Sequence, residues 1–386
     1  MGMQVDFFDD HLRIDLFPLT LTRPCAELRC GILTIAEKWK HALGLSGVGY
    51  KTESYLQAVF PSVNADIHIN GRVLPNPELI ETILRLKKGD YITLGDTTIA
   101  YHGAQENRIS YASAITAVTR CHNLFTFADT EIKNDFELLT KNRTSQDLNE
   151  SNMVIGDSPV FMEEGAEAYA AVFNTLEGPI YIGKNALVME GALIRGPFAL
   201  GESSTVKMGA TIYGATSIGP HCKVGGEVSN SVLFGYSNKG HDGYLGNSVL
   251  GEWCNLGADT NTSNLKNNYD EVKLWNYNQE KFEKTGLQFC GLIMGDHSKT
   301  SINTMLNTGT VIGVSSNIFG SGFPRNFVPS FAWGGASGFS TYQIAKALVT
   351  SKLVYKRRKK EFGLDEEHVF EHLFAQESKF RIWENK

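Results

Sequence analysis

Between residues 182 and 224 an aliphatic side chain recurs at every sixth position: Ile182, Val188, Ile194, Leu200, Val206, Ile212, Ile218 and Val224. Glycine directly follows several of them, at Gly183, Gly201, Gly219 and Gly225. A helix repeats every 3.6 residues and a strand every two, so neither holds such a period. The period belongs to a hexapeptide β-helix, in which each six-residue segment is one flat side of a triangular prism. Every sixth residue points into a narrow core, and each three-sided coil climbs about 4.8 Å, the spacing of parallel strands. The register is expected to resume at Val232, Leu250 and Leu256, then at Met294, Leu306, Ile312 and Ile318. Cys222 and Cys254 fall within the same lattice. Two stretches leave it, the loop Asn238–Gly243 and the insertion Leu274–Phe289, which a prism must extrude at a corner.

The flanks follow other rules. Residues 1–152 alternate short apolar runs (Val5–Phe8, Tyr91–Leu94) with helical patterns at Ile32–Lys40 and Pro77–Lys88. Pro77 suits a first helical position, and Leu79, Ile80, Ile83, Leu84 and Leu86 make an apolar face. This alternation predicts an α/β domain with a largely parallel sheet. Leu94-Gly95-Asp96-Thr97 reads as a hairpin turn rather than a Mg²⁺ site, and the polar stretch Lys141–Asn152 as a linker or surface loop. The expected domains are 1–152 (α/β), 153–335 (β-helix) and 336–386 (a helical tail). In the tail, Tyr342, Ile344, Ala345, Leu348 and Leu353 give an apolar face, the basic run Lys356–Lys360 follows, and a second helix covers Asp365–Ser378.

A length of 386 residues fits two or three domains, and a net charge of −6 argues against a general nucleic-acid binder. No apolar run approaches the roughly 18 residues of a membrane span. The opening MGMQVDFFDDHL has acidic residues where a signal peptide needs basic and apolar ones, and the Gly2 context does not suit myristoylation. Six scattered cysteines without a CxxC pair read as reduced thiols, so a cytoplasmic protein is expected.

Chemistry concentrates in Asn238–Lys273. His241 lies in a glycine-flanked loop, and imidazole is the natural base for taking a proton from an attacking amine near neutral pH. Tyr244 can donate to a phosphate or a sugar hydroxyl. Asn255 and Asn264 fall on later prism sides, where an amide can hold substrate or an acyl carbonyl. Lys273 supplies positive charge for an anionic group. Glu227, one side below, is placed to accept the other imidazole proton.

This segment resembles the acetyltransferase half of the bifunctional GlmU-like enzymes that make UDP-N-acetylglucosamine. Their catalytic loop reads K-A-G-H-x-x-Y-L-G-D and then N-I-G-A-G-T. Here Lys239-Gly240-His241-Asp242-Gly243-Tyr244-Leu245-Gly246-Asn247 and Asn255-Leu256-Gly257-Ala258-Asp259-Thr260 are similar. The resemblance spans roughly 180–335. It implies a left-handed β-helix that acetylates a hexosamine-1-phosphate from acetyl-CoA, with each acetyl-CoA site between subunits of a homotrimer. It puts the catalytic base on His241, the sugar-phosphate tyrosine on Tyr244 and the substrate asparagine on Asn255. Acetyl-CoA contacts fall on Ala258 and Asn264, and the groove of the next coil on Ser301, Ile302 and Asn303. Ser263-Asn264-Leu265-Lys266 with Val272-Lys273 is closer to archaeal-type relatives, in which that asparagine and the lysine belong to the site. Ser229 stands where the bacterial lysine before the base is expected, which puts sugar recognition in question.

The first domain resembles the divergent nucleotidyltransferase-like domain of an alternate bifunctional subfamily. Leu16–Gly31 (LFPLTLTRPCAELRCG) stands where the family carries a glycine-rich loop around the nucleotide phosphates. Those glycines are missing, which removes close backbone approach to a pyrophosphate. Arg23 and Arg29 remain as candidates for phosphate contact, with UTP or dTTP as the nucleotide and Mg²⁺ required if the domain is active.

Three other readings stay open. One is a sugar-1-phosphate thymidylyl- or uridylyltransferase whose β-helix is not catalytic. Another is a zinc-dependent gamma-carbonic-anhydrase-like protein, although His221, His241 and His297 include no closely spaced pair. A prism that serves as an inert spacer is the third, and it has no need of the His–Tyr–Asn constellation.

Overall fold

The structure is a computed structural model and describes residues 2–385. Contacts divide the chain into two compact units: residues up to Leu16 with Thr20–Arg29 and Leu33–Arg120, and Phe17–Leu19 with Cys30–Ile32 and everything from Cys121 onward.

The first unit is built on a six-stranded sheet. Gln4–Phe8 pairs in parallel with Gly47–Lys51 on one side and Ile67–Asn70 on the other. Asp90–Leu94 and Thr97–His102 form an antiparallel hairpin that turns at Gly95-Asp96, and Thr97–His102 also runs antiparallel to Ile67–Asn70. Asn107–Ser110 is again parallel. The sheet is therefore mixed rather than largely parallel. A two-residue turn returns the chain antiparallel to itself, whereas a parallel return needs a long crossover. Helix Ile35–Leu43 starts at a capping box, in which Thr34 Oγ1 accepts from Glu37 N at 3.2 Å and the Glu37 carboxylate from Thr34 N at 2.7 Å. Helix Pro77–Leu84 has Asn76 as its cap and proline at its first position. Trp39 closes this core, with its indole N–H donating to Val73 O at 2.8 Å.

The second unit is a parallel β-helix. One face stacks nine strands, from Val160–Met162 to Phe327–Val328. A second begins at Met153–Ile155 and climbs through Leu193–Arg195 and Glu227–Ser229 to Tyr244–Gly246. The third begins at Glu167–Ala168 and reaches Asn238–Lys239. All eight residues of the six-residue period lie in one buried column set, with Leu250, Leu256, Met294, Leu306, Ile312, Ile318, Cys222 and Cys254.

Two register expectations are corrected. Ile218 pairs with Leu233, so Leu233 and not Val232 fills the core position. Val224 pairs with Lys239, so Asn238–Lys239 is a rung of the lattice and only residues 240–243 leave it. The cause is coil length. Ile194 to Ile212 is an 18-residue coil, whereas Ile212 to Val228 takes 16 residues, and Ile218 to Leu233 and Val224 to Lys239 each take 15. Shortened corners move the register without disturbing the sides. The insertion does leave the prism, as an antiparallel hairpin of Lys273–Asn276 and Lys281–Lys284.

Two further features complete this unit. Helix Ala128–Thr140, which the sequence reading did not anticipate, accepts Ile32 N on Asp135 at 2.8 Å. The tail forms helices Ile344–Arg357 and Leu364–Gln376. A ladder of rings ties the tail to a prism corner. His221 stacks on Tyr236 (4.8 Å), Tyr236 on Trp253 (4.1 Å) and Trp253 on Tyr355 (4.0 Å). His297 joins the same stack, 6.1 Å from Trp253. No described helix is long and apolar enough to cross a membrane.

Candidate functional site

The site begins with a lysine inside the prism. Lys239 occupies a position where lower coils carry Val206 and Val224, and it is 2% exposed. Its ammonium meets two backbone carbonyls, Gly225 O at 2.9 Å and His241 O at 2.6 Å. Burial draws its pKa down to about 8. The second bond ties residues 240–243 to the core. Asp259 N donates to Asp242 O at 3.0 Å, and a Cβ on Gly243 would lie 2.3 Å from Thr260 O, so the loop also rests on the rung above. His241 projects from this anchored loop. It is exposed, and its imidazole hydrogen-bonds to no described residue.

Tyr244 opens the next strand. Its N–H donates to Asn261 Oδ1 at 2.9 Å, and the ring folds back over Gly246. The phenol oxygen accepts from Asn264 Nδ2 at 2.8 Å, and the same amide nitrogen donates to Asn247 Oδ1 at 2.8 Å. Both amide hydrogens of Asn264 are thereby committed, while the Tyr244 O–H keeps its own proton to give. Burial, and then the charge of Glu227, raise the Tyr244 pKa, so the phenol is a donor at neutral pH. Glu227 is directly below Tyr244 in register and hydrogen-bonds to no described imidazole. Its electrostatic partner is Tyr244.

The remaining candidates divide into separate places. Asn255 is exposed on the strand bridge between Asn238 and Lys299. Ala258 and Asn303 stack at one corner, with Asn303 N donating to Ala258 O at 2.8 Å. Ser301 is half-buried, and Ile302 is 66% exposed beside it. The backbone N–H groups of Ala258 and Ile302 donate to no described group. Lys273 is on the extruded hairpin and lines a cavity that none of His241, Tyr244, Asn255 or Asn264 touches. His221 and His297 belong to the ring ladder, and among the described residues no three His, Cys, Asp or Glu gather as a metal site. Lys239, Asn247 and Asn261 had no signal in the six-residue count.

In the first unit Arg23 is buried, and Arg29 is 3.9 Å from Glu37. Asp9 and Asp10 directly follow the first strand, and both carboxylates are occupied. Asp9 accepts from Cys25 N (2.9 Å) and Thr52 Oγ1 (2.6 Å) and pairs with Arg13 (3.2 Å). Asp10 is bound by Arg72 Nε and Asn70 Nδ2, both at 2.9 Å. Carboxylates so fully engaged do not fit a Mg²⁺ ion.

Comparison with known proteins finds likenesses over parts of the chain. Residues 5–144 match the model of a sugar nucleotidyl transferase family. Over 87 residues the chain is 34% identical to "Bifunctional protein GlmU" of Methanocaldococcus jannaschii, covering 22% of this chain and 21% of that protein. Over 93 residues it is 34% identical to the "Bifunctional sugar-1-phosphate nucleotidylyltransferase/acetyltransferase" of Sulfurisphaera tokodaii (24% and 23%). Over 98 residues it is 35% identical to "Bifunctional protein GlmU" of Trichodesmium erythraeum (25% and 17%). The matched segments thus span about a fifth of the length of these relatives. With a sugar nucleotidyl transferase match ahead of a parallel β-helix, and these bifunctional proteins matching over about 90 residues, the chain is similar to the GlmU-like proteins.

Proposed function

We propose that the β-helix transfers an acetyl group from acetyl-CoA to the amino group of a hexosamine-1-phosphate such as glucosamine-1-phosphate. The observation that carries this reading is the anchored loop that holds an unengaged imidazole, His241, and runs directly into the strand of Tyr244, itself paired with Asn264. The amine lone pair attacks the thioester carbonyl carbon, and His241 takes the amine proton. The carbon–sulfur bond then breaks, and the proton returns to the leaving thiolate. Tyr244 and Asn255 hold the sugar phosphate. Asn264 orients Tyr244, because both its amide hydrogens are already used. Its carbonyl oxygen is left for the pantetheine arm. The open N–H groups of Ala258 and Ile302, with Ser301 and Asn303, supply the groove and the donors for the oxyanion.

A homotrimer is part of the proposal. The outward column Met153–Val172–Leu193–Thr211–Glu227–Tyr244 places exposed Met153 (59%) and Leu193 (50%) below the site on one flat face. A second copy seated on that face would cover them. Nucleotidyl transfer near the start of the chain is supported by the family match over 5–144, and UTP or dTTP is the nucleotide proposed for it. A cytoplasmic location fits substrates of this kind.

The decisive experiment is His241→Ala, assayed by thiol release from acetyl-CoA with glucosamine-1-phosphate. Transfer should vanish while the oligomer persists, and undiminished transfer would overturn the assignment. Pyrophosphate release from UTP or dTTP with a sugar-1-phosphate and Mg²⁺ tests the first domain separately.

A further inference from the structure

The hairpin at Lys273–Lys284, the last rungs and the terminal segment line an open cavity of about 1190 Å³, large enough for a nucleotide-sized ligand. Its walls carry four cations (Lys266, Lys273, Arg325 and Lys379) and a single carboxylate, Glu280. Glu280 is taken by Lys379 at 2.6 Å, and Lys266 donates to Glu271 O at 2.7 Å. Lys273 and Arg325 are exposed and make no ion pair or side-chain hydrogen bond among the described residues. Two cations therefore face this space uncompensated.

Aromatic rings also line the wall, and several are held against one another. Trp275 stacks on Phe327 at 4.3 Å with an 11° interplanar angle, and Phe380 meets both edge-on, at 6.3 and 5.6 Å. Phe339 and Trp383 pair at 5.8 Å on the part of the wall formed by the terminal segment. The Trp275 indole N–H is buried with no hydrogen-bond partner, an orphan donor that costs stability unless an acceptor reaches it. Flat rings beside a guanidinium and an ammonium recognise a planar base that bears phosphate. The base stacks on the rings, and Arg325 grips phosphate oxygens in a fork.

We propose that this cavity binds a nucleoside diphosphate group, either as a free nucleotide or as the ADP half of CoA. Only the CoA source rests on the acetyl-transfer reading above. Titration calorimetry on the full chain tests the proposal with ADP, adenosine and pyrophosphate as probes. ADP should bind at least tenfold more tightly than either fragment. Arg325→Ala should weaken ADP about tenfold, a loss typical of a charged hydrogen bond, with the melting temperature unchanged because Arg325 is exposed. Arg325→Glu should weaken it further, and His241→Ala should leave it intact. CoA and pantetheine separate the sources. If Arg325→Ala weakens CoA and spares pantetheine, the ligand is the ADP half of CoA; if it weakens ADP and spares CoA, a free nucleotide is the ligand. ADP affinity equal in wild type and both Arg325 variants would overturn the site, whatever the His241 assay shows. ADP affinity no better than that of pyrophosphate would do the same.

Discussion

The Lys239 ammonium reaches out of the prism core to the carbonyl oxygen of His241, 2.6 Å away. A core position that elsewhere holds valine is thus used to fix the residue proposed as the catalytic base. Near pH 8 the ammonium begins to lose its charge. The neutral amine still has two N–H groups for its two carbonyls, so the loop keeps its anchor through that titration.

Lys239→Met should separate stability from catalysis. It leaves two carbonyls without a donor, at about 1–3 kcal/mol each, and relieves the burial of an ionisable amine, so the two effects largely offset. The melting temperature should move by only a few degrees. The kcat of acetyl transfer should fall at least tenfold with KM for acetyl-CoA held, and amide exchange at residues 240–243 should accelerate. Unchanged kcat would mean that the anchor does not position His241.

Gly246 tests the other half of the site. A Cβ there would stand 2.1 Å from Tyr244 Oη and 2.8 Å from Asn264 Nδ2. Gly246→Ala should drive the ring off Asn264, cost about 1–3 kcal/mol by overpacking, and raise KM for the amino-sugar phosphate more than tenfold. Tyr244→Ala in the same chain should restore the stability and not the KM. A double-mutant cycle by thermal melting and kinetics reads both. Additive stability losses would show that the two residues do not meet.

The sequence disclosed the prism because every inward position demands an aliphatic side chain, and the register from Ile182 to Val224 was correct throughout. Counting in sixes failed where coils shorten to 15 or 16 residues, which put Val232 one place out and hid Lys239 in an apparent loop. That His241, Tyr244 and Asn264 fall in one segment was legible from the sequence. The Tyr244–Asn264 contact spans 20 positions and depends on how the next rung returns. The Gly95 hairpin was readable from its turn residues, but the mixed sheet it creates was not, because strand direction is set by partners distant in sequence. The extruded hairpin that carries Lys273 lines the basic cavity, which the six-residue count could not indicate because the insertion leaves the lattice.

The flat face under Tyr244 predicts the assembly. Leu193 is an exposed aliphatic residue midway up the outward column, so Leu193→Lys should put a charge into each contact between copies. Light scattering should show trimer converting to monomer, with acetyl transfer lost and the circular dichroism of the prism retained. A trimer that survives the substitution would place the interface on another face.

Stability should also report a buried acid. Glu377 is 1% exposed and accepts a hydrogen bond from Ser330 Oγ at 3.3 Å, and burial pushes its carboxyl up to about 7 from the ordinary 4.5. The folded chain then keeps a proton that the unfolded chain releases near pH 4.5. Between those values folding holds the extra proton, so this group's stabilising contribution is full below pH 4.5 and falls as pH rises towards 7. The loss amounts to about 3 kcal/mol and levels off above pH 7. Glu377→Gln keeps the shape of the group and cannot ionise. Thermal melting of the two chains from pH 4 to 8 should show the variant gaining on wild type across pH 4.5–7, with a constant difference above that range. A difference independent of pH would mean that Glu377 ionises as freely in the folded chain as in the unfolded one.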